Sequence, residues 1–383
     1  MIVMTGATGF VGAHLMAELL RAGDESVTLL VAHDPATTVD RLTAAVAGTG
    51  AQVPREEIAA RVRPVLVRLQ APALGLEPAM FRAIAEEADQ IWHCAAYTDA
   101  FGDRGRLDEV NVTGTTRVLE LAAHARPRTA VCHMSTAFVA GGRRGGVVRE
   151  DELSGAAEFM TPYEESKYRA ERLVHDWSSR HGRAVTVFRP SLLVTDRPWQ
   201  EGTAAHWQAV LAKRVEMLTR LGPQIMRSVG FTRPDSTAFT LVLPGEPGAR
   251  ANVLQAAWAA RAMWIAAACP HPAQAVRTLH VTHPDEISVQ ELAQAAVCDV
   301  DWLDVRIGTE AGDGEAMAPD EFLATFLAYL APHLHTTRCY DGSGLRQAIG
   351  PLAPPAPVTA DYLRRGMGRP VANGLSRRRP VGR

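Results

Sequence analysis

The stretch Met1-Ile2-Val3-Met4-Thr5-Gly6-Ala7-Thr8-Gly9-Phe10-Val11-Gly12 decides how the chain is read. Four apolar residues open it, and three glycines spaced GxxGxxG lead into an amphipathic run over 10–21. The pattern predicts a strand, a tight turn and a helix. Glycines let the backbone turn sharply and approach a diphosphate, while the helix N-terminus adds N–H donors and a positive dipole. In that strand-and-helix setting the loop reads as a nucleotide-binding element rather than a mere turn.

Outward from the loop the same alternation recurs. Strand-like runs lie at 26–31, 63–69, 89–94, 129–134 and 184–188, and helical patterns fall between them, notably at 107–124 and 162–181. Strand and helix in repetition imply an α/β protein, a Rossmann-type doubly wound parallel sheet covered on both faces. This dinucleotide-binding domain is expected over 1–195, with a return segment near 250–282 made of a helix at 254–268 and a strand at 277–282. Residues 196–249 and 283–365, with helices at 288–297 and 319–330, are expected to form a smaller, mainly helical C-terminal substrate lobe. The basic stretch 366–383 reads as a flexible tail.

Composition narrows the function. The 383 residues are 47% hydrophobic and 21% charged, with 40 basic against 42 acidic side chains. That balance argues against nucleic acid or an anionic membrane as the main partner. No apolar run of about 18 residues suggests a membrane span, and no secretory signal opens the chain. A cytoplasmic protein is expected. The cysteines at 94, 132, 269, 298 and 339 never form CxxC, so neither a disulfide framework nor a metal site is expected. Only Lys167 and Lys213 are lysines, so 38 of the 40 basic residues are arginine. A lysine kept in such a chain draws attention to its ammonium.

Lys167 closes the run Tyr163-Glu164-Glu165-Ser166-Lys167. At helical spacing the phenol and the ammonium share one face. An ammonium beside a phenol lowers its pKa toward neutrality, so that the tyrosine can exchange a proton with a carbonyl or an alcohol. The same ammonium can hold a nicotinamide ribose. Ser135 and Thr136 follow the strand at 129–134, and ligands of such sheets bind beyond the strands' carboxyl ends. Either hydroxyl can donate to a reacting oxygen. At the end of the second strand, Ala32-His33-Asp34 occupies the place where an acid favours NAD and an arginine favours NADP. Asp34 is in range, and Arg41 can reach back to a phosphate.

Taken in order, these motifs resemble a known family. Gly6, Gly9 and Gly12, the segments Trp92-His93-Cys94-Ala95-Ala96, Asn111-Val112-Thr113-Gly114-Thr115 and Ser135-Thr136-Ala137-Phe138-Val139, Tyr163 with Lys167, and Phe188-Arg189-Pro190-Ser191 resemble an extended short-chain dehydrogenase/reductase. Pro72-Ala73-Leu74-Gly75-Leu76 and His280-Val281-Thr282-His283-Pro284 are similar to its thioester-reductase and fatty-acyl-reductase branch, the male-sterility type.

The resemblance implies that Gly6, Thr8, Gly9, Phe10, Val11 and Gly12 hold the diphosphate. Ala95 and Ala96 would line the nicotinamide side and Pro190 to Leu192 the carboxamide, with Ser135 also among the cofactor-binding residues. Thr136, Tyr163 and Lys167 would be catalytic, with Tyr163 as general acid. Ala32 stands where the branch usually carries an arginine for the 2′-phosphate, and Val67-Arg68 where a Gly-Asp pair is usual. Arg41 and Arg68 are then the guanidinium groups on hand for a phosphate or the adenine.

The implied activity is an NAD(P)H-dependent reductase, with NADPH as cofactor and NAD not excluded. It would act on an acyl thioester, bound to CoA or a carrier protein, or on the derived aldehyde. With the first strand at Met1, the substrate is expected to arrive from outside the chain, including from a separate acyl carrier protein. A secondary alcohol or ketone dehydrogenase is the alternative within the enzyme class. A non-catalytic dinucleotide sensor is the alternative outside it.

Overall fold

The structure, a computed structural model, describes residues 1–153, 158–228, 239–269, 275–300, 303–308 and 333–369. Seven strands form the central sheet: β1 (Ile2–Thr5), β2 (Val27–Val31), β3 (Val62–Leu66), β4 (Gln90–His93), β5 (Ala130–Met134), β6 (Val185–Pro190) and β7 (Val276–Val281). Their order is β7-β6-β5-β4-β1-β2-β3, with every neighbour parallel. The order reverses between β1 and β4, the place where doubly wound sheets open a crevice for a ligand.

The strands form because alternate residues bury on opposite faces. Met4, Leu29, Trp92, Cys132 and Phe188 enter one core with Met16 and Leu19 of α1 (Phe10–Ala22). Val3, Leu30, Ile91, Val131 and Val187 enter the other. There they meet Leu121 of α2 (Gly114–His124) and Val174 and Trp177 of α3 (Pro162–His181). The helix α4 (Ala256–Ala268) returns to the first face through Met263.

Each strand-like run supplies a strand, with ends displaced by at most three residues. The third stops at Leu66 rather than 69 because the Arg68 N–H turns away to the Leu74 carbonyl, 2.9 Å distant. The helix read as continuous over 107–124 is interrupted by a π-helical turn, Asp108–Thr113, before α2 begins.

A second core gathers Val194, Leu211, Leu243, Val253, Leu292, Val305 and Leu363. Its helices include Trp207–Ser228 and Val289–Val297, and the strand Phe239–Pro244 pairs in parallel with Leu303–Gly308. The expectation of a mainly helical lobe overlooked that strand pair, and no readable pattern announced the helix Trp207–Ser228. The helix expected at 319–330 lies outside the described residues. The flexible tail expected from 366 begins too early: Gly366 closes the helix Ala360–Gly366, and a Cβ on it would overlap the Thr195 carbonyl.

Candidate active site

The glycine loop takes its shape from contacts that admit no side chain. Gly6 has φ +73°, and a Cβ on it would lie 2.5 Å from the Ala95 nitrogen of the loop after β4. A Cβ on Gly12 would fall on the Gly6 carbonyl oxygen. α1 starts after Gly9 with no side-chain cap, leaving its first N–H groups, from Phe10 onward, for another acceptor. Thr8 and Val11 are part-buried in the same turn. This close, uncapped cradle fits a diphosphate.

A chain of buried hydrogen bonds ties the loop to the candidate catalytic helix. Ala95 N–H donates to Thr5 Oγ1 at 3.1 Å, leaving the Thr5 hydroxyl to donate to His93 Nδ1 at 2.8 Å. His93 Nε2 then donates to Thr115 Oγ1 at 3.1 Å, which donates in turn to the Asn111 carbonyl at 2.6 Å. This order fixes the His93 tautomer, and burial together with Lys167 holds its pKa down at about 3. The Asn111 amide, on the π-helical turn, donates to Tyr97 O at 3.0 Å and to Ser166 Oγ at 2.9 Å. Ser166 donates to the Tyr163 carbonyl at 2.7 Å. The sequence singled out Asn111 only as a family mark; the π-helical turn that aims its amide at Ser166 has no sequence signal.

The helix α3 begins at Thr161-Pro162-Tyr163-Glu164, a capping box with proline in the first turn. Thr161 Oγ1 accepts from Glu164 N at 3.2 Å, and the Glu164 carboxylate accepts from Met160 N at 2.9 Å. The Lys167 ammonium, 2% exposed, donates to the β5 carbonyl of Met134 at 2.6 Å. Burial lowers its pKa to about 8 against the opposing pull of Glu171 and Cys94. The Tyr163 phenol differs from expectation. Burial, then the Glu164 carboxylate, pushes it above its ordinary range, because a phenolate there would be poorly solvated.

The two hydroxyls after β5 have different surroundings. Ser135 donates to the carboxylate of Glu171, which is fully buried and pairs with Arg189 at 2.6 Å. Thr136 donates to the Pro190 carbonyl at a long 3.4 Å and accepts from Phe138 N at 3.3 Å. Ser135 is therefore locked into the framework, while Thr136 is the less tightly held. Burial raises the Glu171 pKa, but Arg189, the nearby His175 imidazole and the hydrogen bonds from Arg189 and Ser135 outweigh it and hold the carboxyl at about 2. Arg189 also reaches His280 Nε2 on β7 and the Glu150 carbonyl, each at 3.4 Å. No role for Glu171 or Arg189 was readable in the sequence, although Glu171 stands one helical turn beyond Lys167.

Gly6, Ala95, Thr136, Lys167 and Pro190 thus converge at the carboxyl ends of β1, β4, β5 and β6. Ala96 is part-buried beside Ala95, and Leu192 starts the short strand Leu192–Val194, which pairs with Val253–Gln255. Ala32, Arg41 and Arg68 lie apart, exposed beyond the ends of β2 and β3. Asp34 is spent on a turn, accepting from Ala36 N at 2.9 Å. The Arg68 guanidinium lies over Gly75. A separate cleft of about 770 Å³, lined by Glu150, His175 and Arg277 along β7, contains none of these residues.

The sheet order and the glycine cradle define a Rossmann-like, doubly wound fold with a nucleotide-type loop at its switch point. More particularly, residues 4–223 match the model of the male sterility protein family, and the chain belongs to that family. Isonitrile lipopeptide synthase of Streptomyces coeruleorubidus is 32% identical over 196 residues, which are 50% of this chain and 13% of that protein. Aldehyde reductase lnaA of Aspergillus flavus is 30% identical over 203 residues, 50% of this chain and 19% of that one. The chain therefore spans less than a fifth of either relative. Among solved structures, the terminal R domain from the myxalamid PKS-NRPS pathway superposes with a TM-score of 0.73 at 24% identity, covering 96% of this chain and 89% of that one. A thiolation-reductase di-domain from an archaeal non-ribosomal peptide synthetase gives 0.62 at 16%, covering 95% and 88%. These superpositions show the shared fold.

Proposed function

We propose that the protein reduces an acyl thioester to the aldehyde, with the acyl group carried on a phosphopantetheine thiol of a carrier protein or of CoA and NADPH as reductant. The observation that supports this reading best is the joining of the glycine cradle to the Tyr163/Lys167 helix through one buried hydrogen-bond chain. The partial relatives and R-domain neighbours, whose names place them in peptide-synthetase systems or among aldehyde reductases, favour a thioester over a ketone.

A bound nicotinamide dinucleotide supplies the hydride. Tyr163, held above its ordinary pKa, keeps its proton through neutral pH and gives it to the carbonyl oxygen as negative charge develops there. Thr136 is the second donor to that oxygen. Lys167, fixed by the Met134 carbonyl, would hold the cofactor ribose through its ammonium. The hydroxyl proton then returns to Tyr163 as the C–S bond breaks, leaving the aldehyde and a thiolate that takes its proton from water.

The test is oxidation of NADPH and NADH by the purified protein with an acyl-CoA, a carrier-bound acyl thioester, the matching aldehyde and a ketone. The expected result is thioester turnover, cut at least about 10²-fold by Tyr163→Phe with dinucleotide affinity unchanged. Turnover of ketone alone would replace this reading with an alcohol dehydrogenase. Dinucleotide binding without turnover of any substrate would favour a sensor.

A further inference from the structure

The segment 195–206 leaves the sheet region for the second lobe, and it crosses the opening of the glycine loop on its way. Its course is fixed at both ends. Gln208 accepts from Thr195 N at 2.7 Å and donates to Thr195 O at 3.1 Å, and the Trp207 indole donates to Leu193 O at 2.8 Å. Between them Trp199 donates to Thr203 O at 3.1 Å, with the Lys213 ammonium 4.0 Å from the Trp199 ring.

This strap lays His206 over the start of α1, with ring centroids 4.5 Å apart from Phe10 and tilted by 30°. His206 is 8% exposed, and its Nδ1 has no hydrogen-bond partner. Thr8, Gly9, Phe10, His14, Arg197 and His206 line one small cavity there. His14 is already committed to the Phe10 carbonyl at 2.9 Å. Arg197 rests on Gly50 and forms no ion pair among the described residues. A buried imidazole nitrogen with no partner is costly to keep, and here the ring lines a cavity that also receives the uncapped end of a 13-residue helix. Burial, then His14, holds the imidazole neutral at about 4. A neutral imidazole still donates from one nitrogen.

We infer that His206 and Arg197 form the second lobe's half of a phosphate site whose other half is the N-terminus of α1. The anion is a phosphate of the dinucleotide, so the inference rests on the cofactor reading above and adds residues to it. Cofactor binding would then couple the two lobes directly, the ligand bridging the strap and the loop.

Binding is measured by tryptophan fluorescence with NADPH and, separately, with inorganic pyrophosphate, in the wild type, His206→Phe, His206→Gln and Arg197→Met. His206→Phe keeps the ring against Phe10 and removes the N–H. It is expected to weaken NADPH about tenfold, the worth of a hydrogen bond to a charged group, with an unchanged melting temperature in the absence of ligand. His206→Gln restores a donor and recovers part of the loss, and Arg197→Met weakens binding and flattens its salt dependence. Unchanged NADPH affinity in a folded His206→Phe overturns the inference and leaves the cofactor reading intact. Should NADPH not bind the wild type while pyrophosphate binds in a His206-dependent way, the cofactor reading fails and the site serves another phosphate ester. Binding of neither ligand overturns both.

Discussion

The two ends of the crevice are built differently. At the candidate nicotinamide end several polar groups are buried and committed: Lys167 to Met134, Ser135 to Glu171, Glu171 to Arg189, and His93 to two threonines. At the candidate adenosine end Ala32, Arg41 and Arg68 are exposed, and Asp34 caps its own turn. A proton-transfer site needs donors held to within fractions of an ångström, which burial and hydrogen bonding provide. An exposed guanidinium can meet a phosphate from several rotamers. The difference predicts that substitutions at the first end damage fold and catalysis together, while those at the second change nucleotide affinity alone.

The sharpest way to break that contrast is at Glu171. Glu171→Gln leaves the Arg189 guanidinium buried without its counter-charge, and loss of one partner from a buried pair costs about 3–5 kcal/mol. Urea titration is expected to show that loss, with much of it recovered in Glu171→Leu/Arg189→Met. Equal stability of wild type and Glu171→Gln would mean that the pair is no part of the framework. Arg41→Ala and Arg68→Ala, at the other end, are expected to unfold at the wild-type urea concentration.

Next in size is the pH dependence of turnover. Lys167, lowered to about 8 by burial, carries its charge below that pH and loses it above. The rate is therefore expected to be level on the acid side and to fall about tenfold per pH unit beyond it, since one deprotonation removes the required ammonium. Glu171 raises the Lys167 pKa, so in Glu171→Gln the falling limb should move to lower pH. A limb that stays in place would separate the two groups. Lys167→Arg keeps charge but not the compact ammonium, and its rate is expected to remain low across the whole range.

How much of this was legible in the sequence follows the same division. The strands and the glycine cradle could be read because short β-branched runs and the GxxGxxG spacing leave local marks, and the placing of Tyr163 and Lys167 on one helix because four residues make about one helical turn. The locked state of Ser135 was not legible: its partner Glu171 is 36 residues away and meets it only when α3 lies on β5. The raised Tyr163 phenol depends on burial that spacing does not reveal. The second lobe was least legible, since its core joins segments from Val194 to Leu363 across the chain. His206 in particular carries no motif; only the strap's return to α1 gives it a neighbour worth naming.

The smallest expected effect tests whether the rigid end is also set locally. Thr161 and Glu164 exchange hydrogen bonds with the backbone at the entry to α3, two residues before Tyr163 and in the same turn. Replacing a threonine cap by alanine costs about 1 kcal/mol, so Thr161→Ala should lower the urea midpoint modestly. If the cap only starts the helix, turnover by the folded variant will match wild type. If it also fixes the phenol, kcat will fall while the dinucleotide affinity stays constant, because the cradle is held through Ser166 and Asn111 further along. The second outcome is expected: Tyr163 lies in the first turn, where helices fray, and the long 3.5 Å contact from its N–H to Ala100 O is a weak substitute for the lost cap.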